Sequence, residues 1–551
     1  MKQAFSGVAT KDLEAFPRDT SRPVLLVGFL DQGNLGLGYL TATLRAFGYR
    51  VIVTDVERPP EEIAALARAE QPLVVGLSLI FQFYIGRYAA IVHALRDAGV
   101  DCHITIGGHF PSLSPAETLK QIPAIDSVVR FEGESTLLEL ADRLGTGGDW
   151  RAVGGLVYGD GENGITETPP RHLLHDLDEL PWPTRDYEAE QVLGRRAMPL
   201  LASRGCARTC SFCSIHTFYR AAPGKVVRTR DPAAVVEEMR WLHDERGVTI
   251  FLFQDDDFPL FGRVWQRWTR KFVAELHKAG LPGRAIWKIN CRADAVDEEL
   301  FREMQAAGLY LVYMGLESGD ADGLETLNKG ITVEQNLKAV ATLKRLGLVF
   351  EFGFMLLDPS SSFESVRTNL GFLRAIAGDG SVAAVFCRML PYDGTPIKDR
   401  LAAEGRLKGD ICNPDYDFLD PRLDAFYRDL NDVLHVSGWI HGHQALSPAL
   451  NWAWNEVAIL ERLFPGLGGL DGYKADLRKL TAASNDMVLD VVEDLVAVHA
   501  EGRSRRWRDG DVAARAETFG GDLLRLRDGY IQGQQDVIIA ALQADGALAA
   551  E

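Results

Sequence analysis

The sequence predicts an α/β protein in which two successive strand–helix domains are followed by a mostly helical region. Buried, β-branched runs alternate with helical patterns from residue 23 to about 145, and the alternation resumes at Met198. After Pro391 the pattern becomes mostly helical. Strands that alternate with helices of this length form parallel sheets covered by helices. A chain of 551 residues is also too long for a single core.

The first domain, residues 1–150, is predicted to form a doubly wound, Rossmann-like sheet. Its predicted strands are 23–30, 51–55, 73–79 and 102–107, with helices over 37–47, 61–69 and 84–98. Ligands of such sheets lie beyond the carboxyl ends of the strands. Gly107 and Gly108 at one such end let the backbone approach a flat or anionic ligand, and Ser78 at another could donate a hydrogen bond to it. An ordinary tight turn and a core hydroxyl are the alternatives.

Residues 151–195 are interpreted as a linker arm, because Asp160–Gly164 resembles a hairpin turn and Leu180–Pro183 cannot be helix interior. Residues 196–405 resume the alternation. The predicted strands are 198–203, 249–254, 285–290, 311–316, 350–356 and 383–389. Six such units predict a partial (β/α)6 barrel that is open at one side, with its reactive face at the strand C-termini.

Residues 406–551 are predicted to be mostly helical. Within them Trp439–His443 and the pair Trp452 and Trp454 could line a pocket, although aromatic residues at such positions more often pack between helices.

Charge and hydropathy exclude several classes of partner. The net charge of −18 argues against a large nucleic-acid surface. No run approaches the roughly 18 apolar residues of a membrane span, and Met1–Pro17 lacks the apolar core of a signal peptide. We therefore expect a cytoplasmic protein without a nucleic-acid or membrane partner.

Three of the seven cysteines lie within eight residues, at Cys206, Cys210 and Cys213. The odd, sparse set does not suggest a disulfide framework. Thiolates this close can converge on one zinc or iron–sulfur centre. A zinc site would need a fourth ligand, such as His216 or a remote cysteine. Three thiolates on a four-iron cluster would instead leave one iron open for chemistry.

This C-x3-C-x-Φ-C pattern after the first strand of a partial barrel resembles the signature of radical S-adenosylmethionine (SAM) enzymes. The resemblance implies a [4Fe-4S] cluster held by the three cysteines, with SAM bound through its amino and carboxylate groups to the open iron. It further implies that the reduced cluster cleaves SAM to a 5′-deoxyadenosyl radical, which abstracts hydrogen from substrate. An external electron donor such as flavodoxin or ferredoxin is implied as a partner.

Motifs at the next strand ends resemble those by which the family holds SAM. The implied contacts are Asp255 and Asp256 near the amino group, Arg292 near the carboxylate, and Glu317 or Ser318 near the ribose. The aspartates could alternatively form a solvated loop or a helix N-cap, and Arg292 could pair with Glu317. Phe352–Ser360 departs from the glycine-rich end usual at the fifth strand.

The first domain resembles the cobalamin-binding domain of one large subgroup of radical SAM enzymes, the class B methyltransferase-like proteins. Matching segments are 34–40, 76–78, 106–111 and 131–134. They imply a cobalamin site formed by Ser78, Gly107, Gly108, His109, Glu132 and Gly133. Domains that ligate cobalt from below carry D-x-H-x-x-G after the first strand, whereas Asp31–Gly36 has glycine in place of the histidine. We therefore expect no imidazole ligand to cobalt; His109 belongs to a loop that cradles the ligand.

The resemblance implies methylation of an unactivated carbon in a small-molecule, natural-product or peptide substrate. One SAM would methylate the cobalamin, a second would yield the radical, and the substrate radical would take the methyl group. No catalytic acid or base is predicted. A cobalamin-containing enzyme that closes, contracts or rearranges a ring is the first alternative. A sensor or electron-transfer protein that binds a cluster and a corrinoid without consuming SAM is the second.

Overall fold

The computed structural model describes residues 17–30, 33–161, 164–440 and 445–545. The strands are Val24–Gly28 (β1), Val51–Asp55 (β2), Val74–Ser78 (β3), His103–Gly107 (β4), Ser127–Val129 (β5), Leu156–Gly159 (β6), Ile165–Glu167 (β7), Glu190–Val192 (β8), Arg195–Leu200 (β9), Ser203–Arg204 (β10), Arg228–Thr229 (β11), Val248–Phe253 (β12), Ile286–Arg292 (β13), Leu309–Glu317 (β14), Val349–Leu357 (β15), Cys387–Arg388 (β16), Leu407–Gly409 (β17) and Pro414–Tyr416 (β18).

The α-helices cover both sheets and make up the C-terminal region. They are Leu35–Ala46 (α1), Pro60–Glu70 (α2), Ile85–Asp97 (α3), His109–Leu113 (α4), Pro115–Gln121 (α5), Glu134–Gly145 (α6), Ser214–Ala221 (α7), Pro232–Arg246 (α8), Gly262–Lys278 (α9), Glu298–Ala306 (α10), Ala321–Thr326 (α11), Val333–Leu346 (α12), Phe363–Ala377 (α13), Pro396–Ala403 (α14), Pro421–Ser437 (α15), Leu446–Leu463 (α16), Leu470–Glu501 (α17), Asp509–Gly533 (α18) and Gln535–Ala544 (α19).

The chain divides into two compact units, each built from several segments. Unit 1 comprises Met1–Glu188, Ser203–Ala234 and Leu390–Asp415, and unit 2 comprises Ala189–Ala202, Val235–Met389 and Tyr416–Glu551. The cysteine loop thus belongs to unit 1, although it follows β9 of unit 2 in the sequence.

Unit 1 contains a seven-stranded sheet of order β2-β1-β3-β4-β5-β6-β7. Strands β1 to β5 are parallel, as the alternation predicts, and helices pack on both faces. Leu25 and Val27 contribute to the core on one face and Val24 and Leu26 to the core on the other, which is why these strands read as continuous apolar runs. The segment interpreted as a linker arm supplies β6 and β7, an antiparallel hairpin that extends this sheet.

Unit 2 contains the predicted open barrel, with strand order β16-β15-β14-β13-β12-β9-β8. Strands β9, β12, β13, β14, β15 and β16 run parallel, and β8 is antiparallel to β9. Aromatic side chains alternate to the outer face, where the ring of Phe272 of α9 lies 5.7 Å from that of Phe253 and 5.4 Å from that of Trp287.

The sixth barrel strand is shorter than the predicted 383–389, because only Cys387–Arg388 pairs with β15. The backbone amides of Ala383 and Ala384 donate instead to the side-chain oxygens of Asn451 and Asn485, each over 2.8 Å. Helices α16 and α17 therefore occupy the backbone donors that a longer strand would use.

The C-terminal helices pack their aromatic residues. Trp439 and Trp454 are buried, with the ring of Trp439 5.7 Å from that of Phe519, while Trp452 is 42% exposed. Residues 441–443 of the predicted pocket lie outside the described residues. Within the described ranges, no helix is both long and apolar enough to cross a membrane.

Candidate functional site

The three cysteines lie in one loop between β10 and α7, and Cys213 forms the N-cap of that helix. The loop begins at Gly205, whose φ of +88° and whose approach to the carbonyl oxygen of Val226 leave no room for a side chain. The Cys213 amide donates to the carbonyl oxygen of Cys210 over 3.2 Å. Cys210 is buried, and Cys206 and Cys213 are half-buried.

His216, the alternative fourth ligand of a zinc site, bonds the same loop. Its Nε2 lies 3.1 Å from the carbonyl oxygen of Cys210, so this nitrogen donates to backbone. Among the described residues, no three His, Cys, Asp or Glu side chains are grouped so that they could hold a metal ion. The three thiols of the loop are a donor set that suits iron–sulfur chemistry, so their role as cluster ligands stays a prediction.

Glu132, predicted to contact cobalamin, lies in a buried ion-pair network next to the cysteine loop. Its carboxylate accepts from Arg204 over 3.1 Å and from Arg228 over 2.8 Å, and it also accepts from the amide of Leu174 over 2.9 Å. Burial pushes the pKa of Glu132 upward, but the charge of Arg204 and the bond from Arg228 outweigh it and hold that pKa below its ordinary value. Arg204 also pairs with Glu134 over 2.8 Å.

The predicted cobalamin residues of β3 and β4 do lie side by side. Ser78 pairs in register with Gly107, and Gly28 at the end of β1 lies on the other side of Ser78, where an added Cβ would be 3.1 Å from the serine Cβ. At Gly108, which has a φ of +115°, a Cβ would stand 2.1 Å from the carbonyl oxygen of Leu79. Only glycine allows this backbone path at the strand ends. Asp31 and Gln32 of the preceding loop lie outside the described residues.

His109 follows β4 and Gly133 follows β5, each at a helix N-terminus. The imidazole of His109 packs against Phe218 with ring centroids 4.4 Å apart, and burial lowers its pKa to about 4. The ring is therefore neutral at neutral pH. Gly133 precedes α6 and lies where a Cβ would approach Leu40 and Val129 to 3.4 Å.

Exposed apolar side chains at this edge were not predicted from the sequence. Ile80, Phe81 and Tyr84 follow β3 and are 38%, 48% and 37% exposed. Phe81 stacks on Phe83 at 5.4 Å, and Tyr84 lies 4.6 Å from the ring of Phe29. Exposed aromatic groups beside a glycine-lined edge suit a large flat ligand such as a corrin. Their run, Ile80–Tyr84, directly after a buried strand was the available signal.

The predicted SAM residues lie at the strand ends of unit 2. Asp255 is buried, and both of its oxygens lie 3.2 Å from the amide nitrogen of Ala202, so this carboxylate ties the end of β12 to that of β9. Asp256 is exposed at the same edge. Of the two aspartates, Asp256 is the one that presents its side chain to solvent.

Arg292 and Glu317 do not form the ion pair that was the alternative prediction, since each has another partner. Arg292 donates to Asp294 over 3.0 Å and to the carbonyl oxygen of Lys329 over 2.5 Å. Lys329 Nζ in turn donates to Glu317 over 2.8 Å. Gly315 makes room for this pair, because a Cβ there would lie 2.4 Å from Glu317 Oε1. Lys329 was not predicted as a site residue, because no strand-end motif in the sequence includes it.

Ser318 is fully buried, unlike a residue that contacts a ligand through its side chain. Its hydroxyl donates to Asn369 over 3.1 Å and accepts from the amide of Asp320. Glu317, with a φ of +66°, is the residue held in a strained conformation at this end of β14. Of the two predicted ribose contacts, Glu317 is 8% exposed and Ser318 is not exposed at all.

Two family models match the chain. The B12 binding domain matches residues 22–141, and the radical SAM superfamily matches residues 200–372. An uncharacterized methyltransferase of Pyrococcus horikoshii is 29% identical over 379 residues, which cover 68% of this chain and 79% of the relative. An anaerobic magnesium-protoporphyrin IX monomethyl ester cyclase of Cereibacter sphaeroides is 33% identical over 349 residues, covering 58% of this chain but only 53% of the relative.

The fold has a solved counterpart in the radical SAM methyltransferase TsrM from Kitasatospora setae. The TM-score is 0.64 at 19% identity, and the alignment covers 91% of this chain and 99% of TsrM. The two family models coincide with the two sheets whose strand ends carry the residues described above. The chain is therefore a radical SAM enzyme with an N-terminal cobalamin-binding domain, and its cofactors are SAM, a [4Fe-4S] cluster and cobalamin.

Proposed function

We propose that the enzyme methylates an unactivated carbon of a small-molecule or peptide substrate. The observation that carries the proposal is the glycine-lined, aromatic edge of the first sheet, in a chain that also holds a three-thiol loop and a SAM-type barrel. Hydrogen abstraction by a SAM-derived radical needs no corrin, whereas transfer of a methyl group to a carbon radical needs a methyl carrier. The similarity to a methyltransferase over 79% of that relative supports this assignment.

The cluster and the corrin would both be held by residues of unit 1. Cys206, Cys210 and Cys213 would hold the cluster, and the edge formed by Ser78 and Gly108 would hold the corrin. When bound, SAM and the cluster supply a carbon radical and cobalamin supplies a methyl group.

The SAM-binding residues are held ready by the protein itself. Lys329 pairs with Glu317, and Asp294 pairs with Arg292, so that each would meet SAM from a fixed position. Asp255 fixes the strand ends on which these groups depend. No residue of the chain needs to move a proton in this scheme.

The test is anaerobic incubation of the reconstituted enzyme with methyl-deuterated SAM, cobalamin and a one-electron reductant. Mass spectrometry would follow 5′-deoxyadenosine and the deuterated methyl group in the corrinoid fraction. We expect both products. Deoxyadenosine without labelled corrinoid would contradict methylation while keeping the radical SAM chemistry, and the absence of both would contradict the assignment of the site. Replacing the chemical reductant by reduced flavodoxin or ferredoxin would test the proposed electron donor.

A second candidate is a ring-forming reaction without methyl transfer. It is favoured by the 33% identity to the Cereibacter cyclase, which is the higher of the two identities given above. The chain spans about half the length of that relative, so the cyclase provides a hypothesis for the reaction class only. The labelled SAM experiment separates the candidates, because a cyclase would release deoxyadenosine and leave no deuterium in the corrinoid fraction.

A further inference from the structure

The inner face of the open barrel in unit 2 has an apolar floor. Ile250, Ile286 and Leu311 of β12, β13 and β14 pack there against Ile459 and Leu463 of α16. These contacts close the lower part of the barrel with a helix that comes about 150 residues later in the chain. Side chains on the same face that lie closer to the strand C-termini therefore point into a recess that these contacts close at its base.

Two polar side chains, one lysine and one tyrosine, lie on the same face as this apolar floor. Lys288 lies in the row of Leu252 and Leu311, its register partners on β12 and β14. Tyr313 stands two residues further along β14, in the next row toward the strand C-termini. Because alternate residues of a strand share a face, both side chains point to the same side as Leu311.

Neither side chain bonds the protein through its polar group. Among the described residues, Lys288 Nζ and Tyr313 Oη have no hydrogen-bond or ion-pair partner. Tyr313 is 39% exposed although it belongs to a central strand, and Lys288 is half-buried. Central strands of a covered sheet normally present apolar or paired groups, so two adjacent unpaired donors indicate a ligand.

Burial shifts the pKa of both side chains. Burial lowers the pKa of Lys288, against the charge of Glu351, and burial raises the pKa of Tyr313. Glu351 is the register partner of Tyr313 and accepts a hydrogen bond from Asn455 of α16 over 2.7 Å. Glu317 is a second carboxylate that faces Tyr313, and it pairs with Lys329. Both acidic groups thus have protein partners, whereas the two donors are available.

We propose that Lys288 and Tyr313 form an oxyanion subsite, which binds a carboxylate or phosphate group of the substrate inside the barrel. An ammonium group offers three donors and no acceptor, and the phenol of Tyr313 adds another donor, so their shared complement is an oxyanion. The inference rests on the proposed function, because it takes the barrel as the place where the substrate binds. It narrows the substrate class to acids and phosphate esters.

The test measures the reactivity of Lys288 in the cluster- and cobalamin-loaded enzyme, before any turnover. Trinitrobenzenesulfonate labels neutral amines, and peptide mass spectrometry reports the rate at each lysine. Lys338 on α12, an exposed lysine of the same unit, is the internal control. Inorganic phosphate and benzoate serve as the anionic probes, with sodium chloride at equal ionic strength as the blank, and SAM alone as a further probe.

We expect phosphate or benzoate to slow the labelling of Lys288 in a saturable way. The rate should fall about fivefold when the anion concentration is about four times its apparent Kd. The labelling rate of Lys338 should not change. The stronger of the two probes identifies phosphate or carboxylate as the group selected. The Tyr313→Phe variant keeps the lysine and should require several-fold more anion for the same protection.

Three results would overturn the subsite: no labelling of Lys288, equal effects on Lys288 and Lys338, or protection by SAM alone. The last result would assign Lys288 to the SAM carboxylate. Because the assay needs neither reductant nor SAM cleavage, it can fail while methyl transfer is observed. It can equally succeed when no deoxyadenosine forms, so failure of the proposed function is recognised separately.

Discussion

At the scale of single residues, Glu132 links the first domain to the cysteine loop. Its carboxylate bonds Arg204, which lies two residues before Cys206, and Arg228 on the strand that pairs with Arg204. All three charged side chains are largely buried, and Arg228 is 1% exposed. One carboxylate of the cobalamin-binding domain therefore holds the strand pair that leads into the cysteine loop.

Replacing Glu132 by glutamine should destabilise unit 1. The change leaves Arg228 buried without its countercharge, and breaking a buried pair in this way costs about 3–5 kcal/mol. Urea unfolding would measure the loss. The Glu62→Gln variant, which breaks the exposed pair with Arg58, is the control and should change stability by about 0.5 kcal/mol or less. Equal effects of the two variants would contradict the role given to Glu132.

The same carboxylate predicts a pH dependence. Its pKa in the folded protein lies below the ordinary value of 4.5, so its contribution to stability is fully present above pH 4.5. The contribution is lost as the pH falls through the lower folded value. The difference in unfolding free energy between wild type and Glu132→Gln should be constant near neutral pH and shrink below pH 4.5. A difference that grows on acidification would show the opposite shift.

The three cluster cysteines should be separately essential. Changing Cys206, Cys210 or Cys213 to alanine removes one of three thiolate ligands, so the reconstituted protein should lose its iron, its sulfide and its visible absorption. Formation of 5′-deoxyadenosine should fall below detection. Cys412→Ala, at a half-buried cysteine outside the loop, should retain both. Full iron content in one of the loop variants would remove that cysteine from the ligand set.

At the scale of elements, the ends of parallel strands gather the ligand-binding residues. Ser78 and Gly107 lie far apart in sequence but are register partners, because β3 and β4 run parallel and end at the same edge. Gly108 then turns the chain directly over Leu79. The helices that follow the strands only return the chain to the start of the next strand.

Gly108→Ala should damage this edge specifically. Its φ of +115° disfavours any side chain, and the Cβ would meet the Leu79 carbonyl at 2.1 Å, so we expect a loss of about 1–3 kcal/mol. Cobalamin affinity, measured by absorbance titration, should fall as the edge shifts. Gly86→Ala in α3 is the matched control, because no atom lies within 4 Å of the added Cβ and helix propensity favours alanine by about 1 kcal/mol. Cobalamin bound equally well by both variants would separate this edge from the corrin.

At the scale of the whole molecule, each unit is assembled from segments that are distant in sequence. Unit 2 combines barrel strands with the helices after residue 416, and α16 and α19 join the apolar core at the barrel floor. The helical region is thus part of the barrel rather than a separate cap. Packing of this kind explains why Leu460 is fully buried.

Leu460→Ala should therefore destabilise the barrel. Truncation of a fully buried leucine costs about 2–5 kcal/mol, whereas Leu524→Ala on α18, where the side chain is 58% exposed, should stay within about 0.5 kcal/mol. Urea unfolding followed by tryptophan fluorescence would compare the two variants. If α16 were only a peripheral lid, Leu460→Ala would leave unfolding of the barrel unchanged.

The sequence by itself determined the succession of strands and helices along the chain, the cysteine spacing and the family. Those features depend on neighbours along the chain, whose periodicity and spacing can be read directly. Tertiary structure decided that Glu132 pairs with arginines, that Lys329 rather than Arg292 meets Glu317, and that β6 and β7 extend the first sheet. It also placed α16 beneath the barrel. Each of these outcomes depends on which groups are buried together from distant segments, and burial of that kind leaves no local signature.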